Sequence, residues 1–178
     1  MRAVRAFARL VGGLAVAAAV TAMVAGLVGF RINLTNSVPA GIYRVVAAPV
    51  ARGALVSVCL DPTNTAVREA IARHYFPEGP CPGRLLPFLK YVEAVGGDTV
   101  VLGDAGVSVN GQAVPNTAAV KVDWVGRPIA RAARGTYHLS ATQVLLLATH
   151  RPGSFDGRYI GPSETSSIQA VLKPIWLI

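Results

Sequence analysis

Residues 33 to 43 read NLTNSVPAGIY, which sets Ser37 in a polar, turn-rich stretch beside Pro39 and Gly41. A serine hydroxyl becomes a nucleophile only when something removes its proton, and the usual agent is a histidine held by a carboxylate. The three histidines, His74, His138 and His150, are scattered along the chain. His150 lies near Asp156 in sequence, but the Gly-x-Ser-x-Gly elbow of serine-histidine hydrolases is absent. A lysine does the same work when burial among apolar side chains favours its neutral amine. Three lysines are present, Lys90, Lys121 and Lys173, and Lys90 sits in PFLKYVEAV, an alternating apolar pattern that suits a strand burying its stem. A solvated or snorkelling side chain is the bland alternative for any lone lysine in a strand.

The elements that must position these residues follow from the whole chain. Its 178 residues with 52% hydrophobic content accommodate one membrane segment and one domain with its own core. Leu10 to Phe30 is an uncharged run of 21 residues. At about 1.5 Å per residue it matches a hydrocarbon core of about 30 Å and predicts a transmembrane helix. A cleaved secretory signal is the rival reading, because Arg2, Arg5 and Arg9 form a basic leader. The run exceeds the usual length of such a segment, however, and lacks a small-x-small site followed by a polar linker. The predicted organisation is a basic cytoplasmic N-terminus at 1–9, an anchor at 10–30 and an exported domain at 31–178.

Three arginines precede the apolar run and Arg31 alone directly follows it, a bias that places the N-terminus in the cytoplasm and the domain across the membrane. In a bacterium that is an inner-membrane protein with a periplasmic domain. The formal charge of +8 includes four of the 17 basic residues at the helix flanks, leaving 13 basic against 9 acidic elsewhere. This modest excess suits an anionic lipid surface, and no basic-aromatic interleaving points to nucleic acid. Cys59 and Cys81, the only cysteines, lie 22 residues apart. In an oxidising compartment that pair predicts a disulfide, whereas a metal site would need further ligands at short spacing. No metal and no cofactor are expected.

Within 31–178, short alternating apolar stretches bounded by Gly, Pro, Asn and Asp predict strands at 55–60, 89–95, 98–114 and 144–149. Turns are expected at Gly103-Asp104-Ala105-Gly106 and at Asn110-Gly111, the latter favouring the positive φ angles of a two-residue hairpin. Asn64 or Thr65 would cap a helix through AVREAIARHYF that stops before Pro77, and PEGPCPGRLLP reads as loop. Because the cysteines bracket these segments, residues 61–84 are expected to form a disulfide-tied helix and loop insertion on a mainly β domain.

Three separated stretches, NLTNSVPAGIYR, LKYVEAVGGDTV and GSFDGRYIGP, stand in the order of the conserved boxes of the membrane-bound serine-lysine signal peptidases. The Asn-x-Thr-x-Ser-x-Pro-x-Gly-x-Tyr form of the first is most similar to the conjugative-transfer signal peptidases of the TraF type. The resemblance covers nearly the whole chain from the anchor onward and implies a signal-peptidase-like β domain. It implies Ser37 as nucleophile, Lys90 as general base and the Thr35 hydroxyl as partner of the Ser37 N–H in holding the oxyanion. Ser154, Asp156 and Arg158 match positions that orient the lysine and brace the site. On an extended segment Asp156 and Arg158 would project to one side and could pair. The implied substrate is a protein precursor cut after small residues, above all the pilin of a conjugation apparatus, the acyl-enzyme being resolved by water or, in relatives that make cyclic pilins, by an amine. Two departures stand out: Ala148-Thr149-His150-Arg151 replaces the Gly-Asp-Asn-Arg of general signal peptidases, and Gly157 replaces a serine. The first argues against a general leader peptidase, which is the nearest alternative. An inactive membrane-anchored β scaffold of a secretion machine is a further one.

Overall fold

Strand-forming side chains separated by tight turns produce twelve short strands among the described residues, which in the computed structural model are 29–178 together with residues 7, 11–17 and 20–21. Residues 11–17 are helical. Among the described residues no helix is long and apolar enough to cross a membrane. The predicted cytoplasmic stretch 1–9 and anchor 10–30 lie largely outside the described residues, and Phe30, the last residue of the predicted anchor, already opens the first strand.

In chain order the strands are β1 (Phe30–Asn33), β2 (Gly41–Val46), β3 (Leu55–Val58), β4 (Glu78–Cys81), β5 (Phe88–Ala94), β6 (Thr99–Leu102), β7 (Val107–Val109), β8 (Gln112–Val114), β9 (Gly135–His138), β10 (Gln143–Leu147), β11 (Ser163–Glu164) and β12 (Ile168–Leu177). Seven of them form one antiparallel sheet in the order β1-β2-β12-β3-β5-β10-β11, and a smaller sheet runs β8-β7-β6-β9. The predicted strands at 55–60, 89–95 and 144–149 correspond to β3, β5 and β10, and the 98–114 meander to β6, β7 and β8. Asn110 and Gly111 turn β7 into β8 with φ of 52° and 81°, as that dipeptide predicts.

The core explains the unbroken apolar run of β10. Val144 and Leu146 enter the main cluster with Val56, Val92 and Val171, while Leu145 and Leu147 enter the cluster that joins the two sheets, with Val100, Leu102 and Val107. Successive side chains of a strand point to opposite faces, so a strand buried on both sides must be apolar throughout.

The 61–84 segment is tied as expected, with Cys59 bonded to Cys81 and a Cα–Cα separation of 5.5 Å. Its helix α1 (Thr65–Ala72) is capped by Asn64, whose side chain accepts from the backbone N–H groups of Ala66 and Val67. The helix ends four residues earlier than expected. His74 takes a left-handed φ of 55°, and the Tyr75 N–H returns to the Ala70 carbonyl while the His74 N–H returns to Ile71, a Schellman closure. Tyr75 and Phe76 are thereby released to pack against Trp124, Phe88 and Phe155. The stretch expected to be loop contains β4 and a 3-10 turn at Pro82–Arg84, because Leu85 folds back to bridge both Glu78 and Cys81.

Candidate active site

Strands β1 and β2 pair through Asn33 and Gly41, and the seven intervening residues form the loop that carries Ser37. A loop this polar holds one shape only if its backbone groups find partners, and the buried side chain of Asn33 supplies them. Asn33 Nδ2 donates to the carbonyls of Thr35, Val38 and Pro39 at 3.0, 3.1 and 3.1 Å. Its Oδ1 accepts from the Thr35 N–H at 3.1 Å and from the Thr35 hydroxyl at 2.7 Å. From the other side Tyr43 Oη donates to the Pro39 carbonyl at 2.5 Å. Val38 is fully buried with Tyr43, Leu55 and Leu172 and pins the loop to the sheet. Gly41 is obligatory: a Cβ there would sit 2.1 Å from the Trp176 carbonyl oxygen. Ser37 is left half-buried and Thr35 exposed. Asn33 received no role in the sequence reading, although an asparagine two residues before a threonine is an Asx-turn signal that could have found it.

Lys90 lies mid-way along β5, opposite Val56 of β3, and is 2% exposed. Burial lowers its pKa from 10.5 to about 8; the Asp156 carboxylate pulls it back up and the Arg158 guanidinium pushes it down. Its Nζ stands 5.8 Å from the centre of the Phe88 ring. Ser37, Thr35, Lys90 and Ser154 line one groove of about 930 Å³. Ser154 Oγ is buried and has no hydrogen-bond partner among the described residues.

Asp156 and Arg158 are not groove lining; they stand behind it as a fully buried pair. The Arg158 Nε and Nη2 atoms donate to the two Asp156 oxygens at 2.8 and 2.7 Å. Asp156 also accepts from the Ala148 N–H, and Arg158 donates to the carbonyls of Asn116, Pro152 and Ala148. The guanidinium thus closes the 148–156 loop onto the 116 region through these backbone carbonyls. The two residues pair as expected but not on an extended segment: Asp156 caps a short helix, α2 (Gly157–Ile160), accepting from the Arg158 N–H. The glycine at 157 has a steric cause, since a Cβ would fall 2.7 Å from Leu145 Cδ1 and 2.9 Å from the Leu146 carbonyl oxygen. Cys59 and Cys81 lie outside the groove lining.

The groove extends beyond the three stretches that carry Ser37, Lys90 and Ser154. Tyr75, Phe76 and Pro77 of the disulfide-tied segment and residues from Val120 to Ile129 form its other wall. Neither stretch carries a motif that single-sequence reading would flag. Among the described residues no three His, Cys, Asp or Glu side chains converge to hold a metal ion.

Residues 4–177 match the family described as signal peptidase, peptidase S26. A plasmid transfer protein TraF of Escherichia coli is 39% identical over 172 residues, 95% of this chain and 97% of that protein. The conjugal transfer protein TraF of Agrobacterium fabrum is 35% identical over 158 residues, 87% of each chain. A solved signal peptidase I from Enterococcus faecalis is 17% identical with a TM-score of 0.39, covering 72% of this chain and 99% of that one.

Proposed function

Because the chain belongs to the signal peptidase family, peptidase S26, we propose that it is a membrane-anchored serine endopeptidase that removes the leader of exported precursors, working through Ser37 and Lys90. The observation that carries this reading is a buried lysine with a pKa of about 8 on the same groove as a half-buried serine. A neutral amine is accessible there near physiological pH, which is the condition a general base must meet.

The step is acyl transfer. Ser37 Oγ bonds to the scissile carbonyl carbon as its proton passes to Lys90 Nζ. The carbon–nitrogen bond breaks, and Lys90 returns the proton to the departing amine, leaving an ester on Ser37. Water, deprotonated by the same amine, then cleaves the ester and restores the serine. The Ser37 N–H and the Thr35 hydroxyl are the donors assigned to the oxyanion, where charge develops in the transition state. Ser154 Oγ, buried on the wall of the groove that Lys90 also lines and without a partner in the free enzyme, is assigned as the acceptor that orients the lysine once substrate is seated, while Asp156 and Arg158 keep the supporting loop in place.

The precursor we assign is the pilin of a conjugative transfer system, in keeping with the names of the similar plasmid and conjugal transfer proteins. The arginine bias around residues 10–30 supports an inner-membrane anchor with the domain in the periplasm, and the Cys59–Cys81 disulfide suits that oxidising compartment. An anchor ending beside β1 brings Ser37 to the membrane surface, where a precursor still held by its own apolar leader presents its cleavage site. Cleavage of the pilin precursor encoded beside this gene, measured in membranes with Ser37→Ala and Lys90→Met against wild type, tests the reading. Both substitutions abolish cleavage if it is right, and processing that survives in either refutes it.

A further inference from the structure

A scissile bond and a small flanking side chain occupy little of a groove of about 930 Å³, which approaches the upper end of the roughly 300–1,000 Å³ that takes a whole drug-sized ligand. The remainder is walled by Tyr75 and Phe76 together with Val122, Trp124 and Ile129. Trp124 is 74% exposed and Val122 45% exposed. Large apolar side chains left open to water beside a groove mark a surface that another molecule covers.

The loop that presents them is rigid. The buried Asp123 carboxylate accepts from the Val125 N–H at 3.0 Å, the Arg127 N–H at 2.9 Å, Arg127 Nε at 2.7 Å and the Tyr75 hydroxyl at 2.6 Å. Val122 bridges Pro128 across its base, and Arg73 Nη1 donates to the Pro128 carbonyl at 2.7 Å. The Tyr75 and Trp124 rings meet at 4.9 Å between centres. The helix turn that carries Tyr75 is itself held by the Cys59–Cys81 bridge. The backbone that carries Trp124 is thus fixed and its ring rests against Tyr75, so covering it costs less ordering entropy than covering a side chain on a free loop.

We propose that this wall is a second specificity site: Trp124, Val122 and Tyr75 bind a bulky apolar or aromatic side chain of the precursor, a few residues from the bond cut at Ser37. The inference rests on the peptidase reading above. The occupant is the substrate because the aromatic wall and the Ser37–Lys90 end are parts of one groove, so an extended chain engaging the serine continues along it. This selection adds to the choice of small residues at the cut and gives the enzyme a means to recognise one precursor among many.

The test uses the full chain in membranes and two precursors with the same cleavage site. One keeps its native flanks; in the other, the aromatic and branched residues within about five positions of the bond, roughly 16 Å of extended chain, are replaced by serine. Wild type should cleave the native-flank precursor with a kcat/KM roughly tenfold higher, the scale of one well-covered aromatic contact. Trp124→Ala should erase that preference and leave cleavage of the serine-flank precursor unchanged. Equal loss on both precursors, or a preference that survives Trp124→Ala, overturns the inference while leaving the peptidase reading intact. So does tryptophan fluorescence that brominated lipid quenches in wild type and not in Trp124→Ala, with the preference unaltered, which would make lipid the occupant. Failure of wild type to cleave either precursor removes the peptidase reading, and this inference with it.

Discussion

The Thr35 hydroxyl donates to Asn33 Oδ1 at 2.7 Å. A hydroxyl has one proton, so in this arrangement Thr35 cannot also donate to an oxyanion. The proposed role therefore requires the proton to swing from Asn33 to the substrate as charge develops, a donor engaged only in the transition state. Thr35→Val should then lower kcat by about 10²-fold with little change in KM, within the range for one lost oxyanion donor. Thr35 is exposed, so the melting temperature should hold. An unchanged kcat would confine Thr35 to shaping the turn.

Asn33 makes a different prediction. Its side chain reaches three residues of the Ser37 loop and is 4% exposed, so Asn33→Ala strands three carbonyls and an N–H that water reaches poorly. Unpaired buried groups cost about 1–3 kcal/mol each, less where water can enter, and a total of about 2–4 kcal/mol is expected. Asn33→Asp keeps the acceptor and loses the donors, and should fall between alanine and wild type in both melting temperature and kcat/KM. A variant that melts like wild type would mean the loop is held by Val38 and Tyr43 alone.

Lys90 links activity and stability to pH, and its sign can be worked out. Its folded pKa of about 8 lies below the ordinary 10.5, so below about pH 8 both folded and unfolded chains hold the proton and the native state carries the cost of a buried charge. Between about 8 and 10.5 the unfolded chain holds a proton that the native chain has released, so stability rises with pH, by up to about 3 kcal/mol. Cleavage should rise at lower pH, on the approach to and through about pH 8, as the neutral amine accumulates. Denaturant unfolding at a series of pH values should show this rise in wild type and not in Lys90→Met. A cleavage rate already level at pH 6 would exclude Lys90 as the base.

How far these features were legible in the sequence depends on whether the cause is local. The strand around Lys90 was readable because alternation of apolar residues is a property of the strand itself, and the disulfide because only two cysteines exist. Strand β12 was not read, although it lies between β2 and β3, because IQAVLKPIWL contains a proline that argues against a ladder. The structure resolves that conflict with a register shift between Pro174 and Trp176, where a missing N–H is tolerated. The bond from Tyr75 to Asp123 spans 48 positions, and no local pattern announces it. Asn33 stands apart: its Asx-turn signal is local, but such a signal marks a turn without showing that the same side chain reaches on to Val38 and Pro39.

The buried Asp156–Arg158 pair separates an architectural role from an electrostatic one. Removing either partner leaves an uncompensated charge in a site that water does not reach, so Asp156→Ala and Arg158→Met should each cost about 3–5 kcal/mol. That loss alone would be expected of any structural ion pair. The effects on Lys90 differ in direction, however. The Asp156 carboxylate holds the lysine pKa up and the Arg158 guanidinium holds it down. Asp156→Asn, which retains the shape of the side chain, should move the rising limb of the pH–rate profile to lower pH, and Arg158→Gln should move it to higher pH. Opposite shifts in two variants of similar instability cannot come from unfolding, which would lower the rate in both without moving the limb. Profiles that fall in height but keep the same midpoint would make the pair purely a brace for the 148–156 loop.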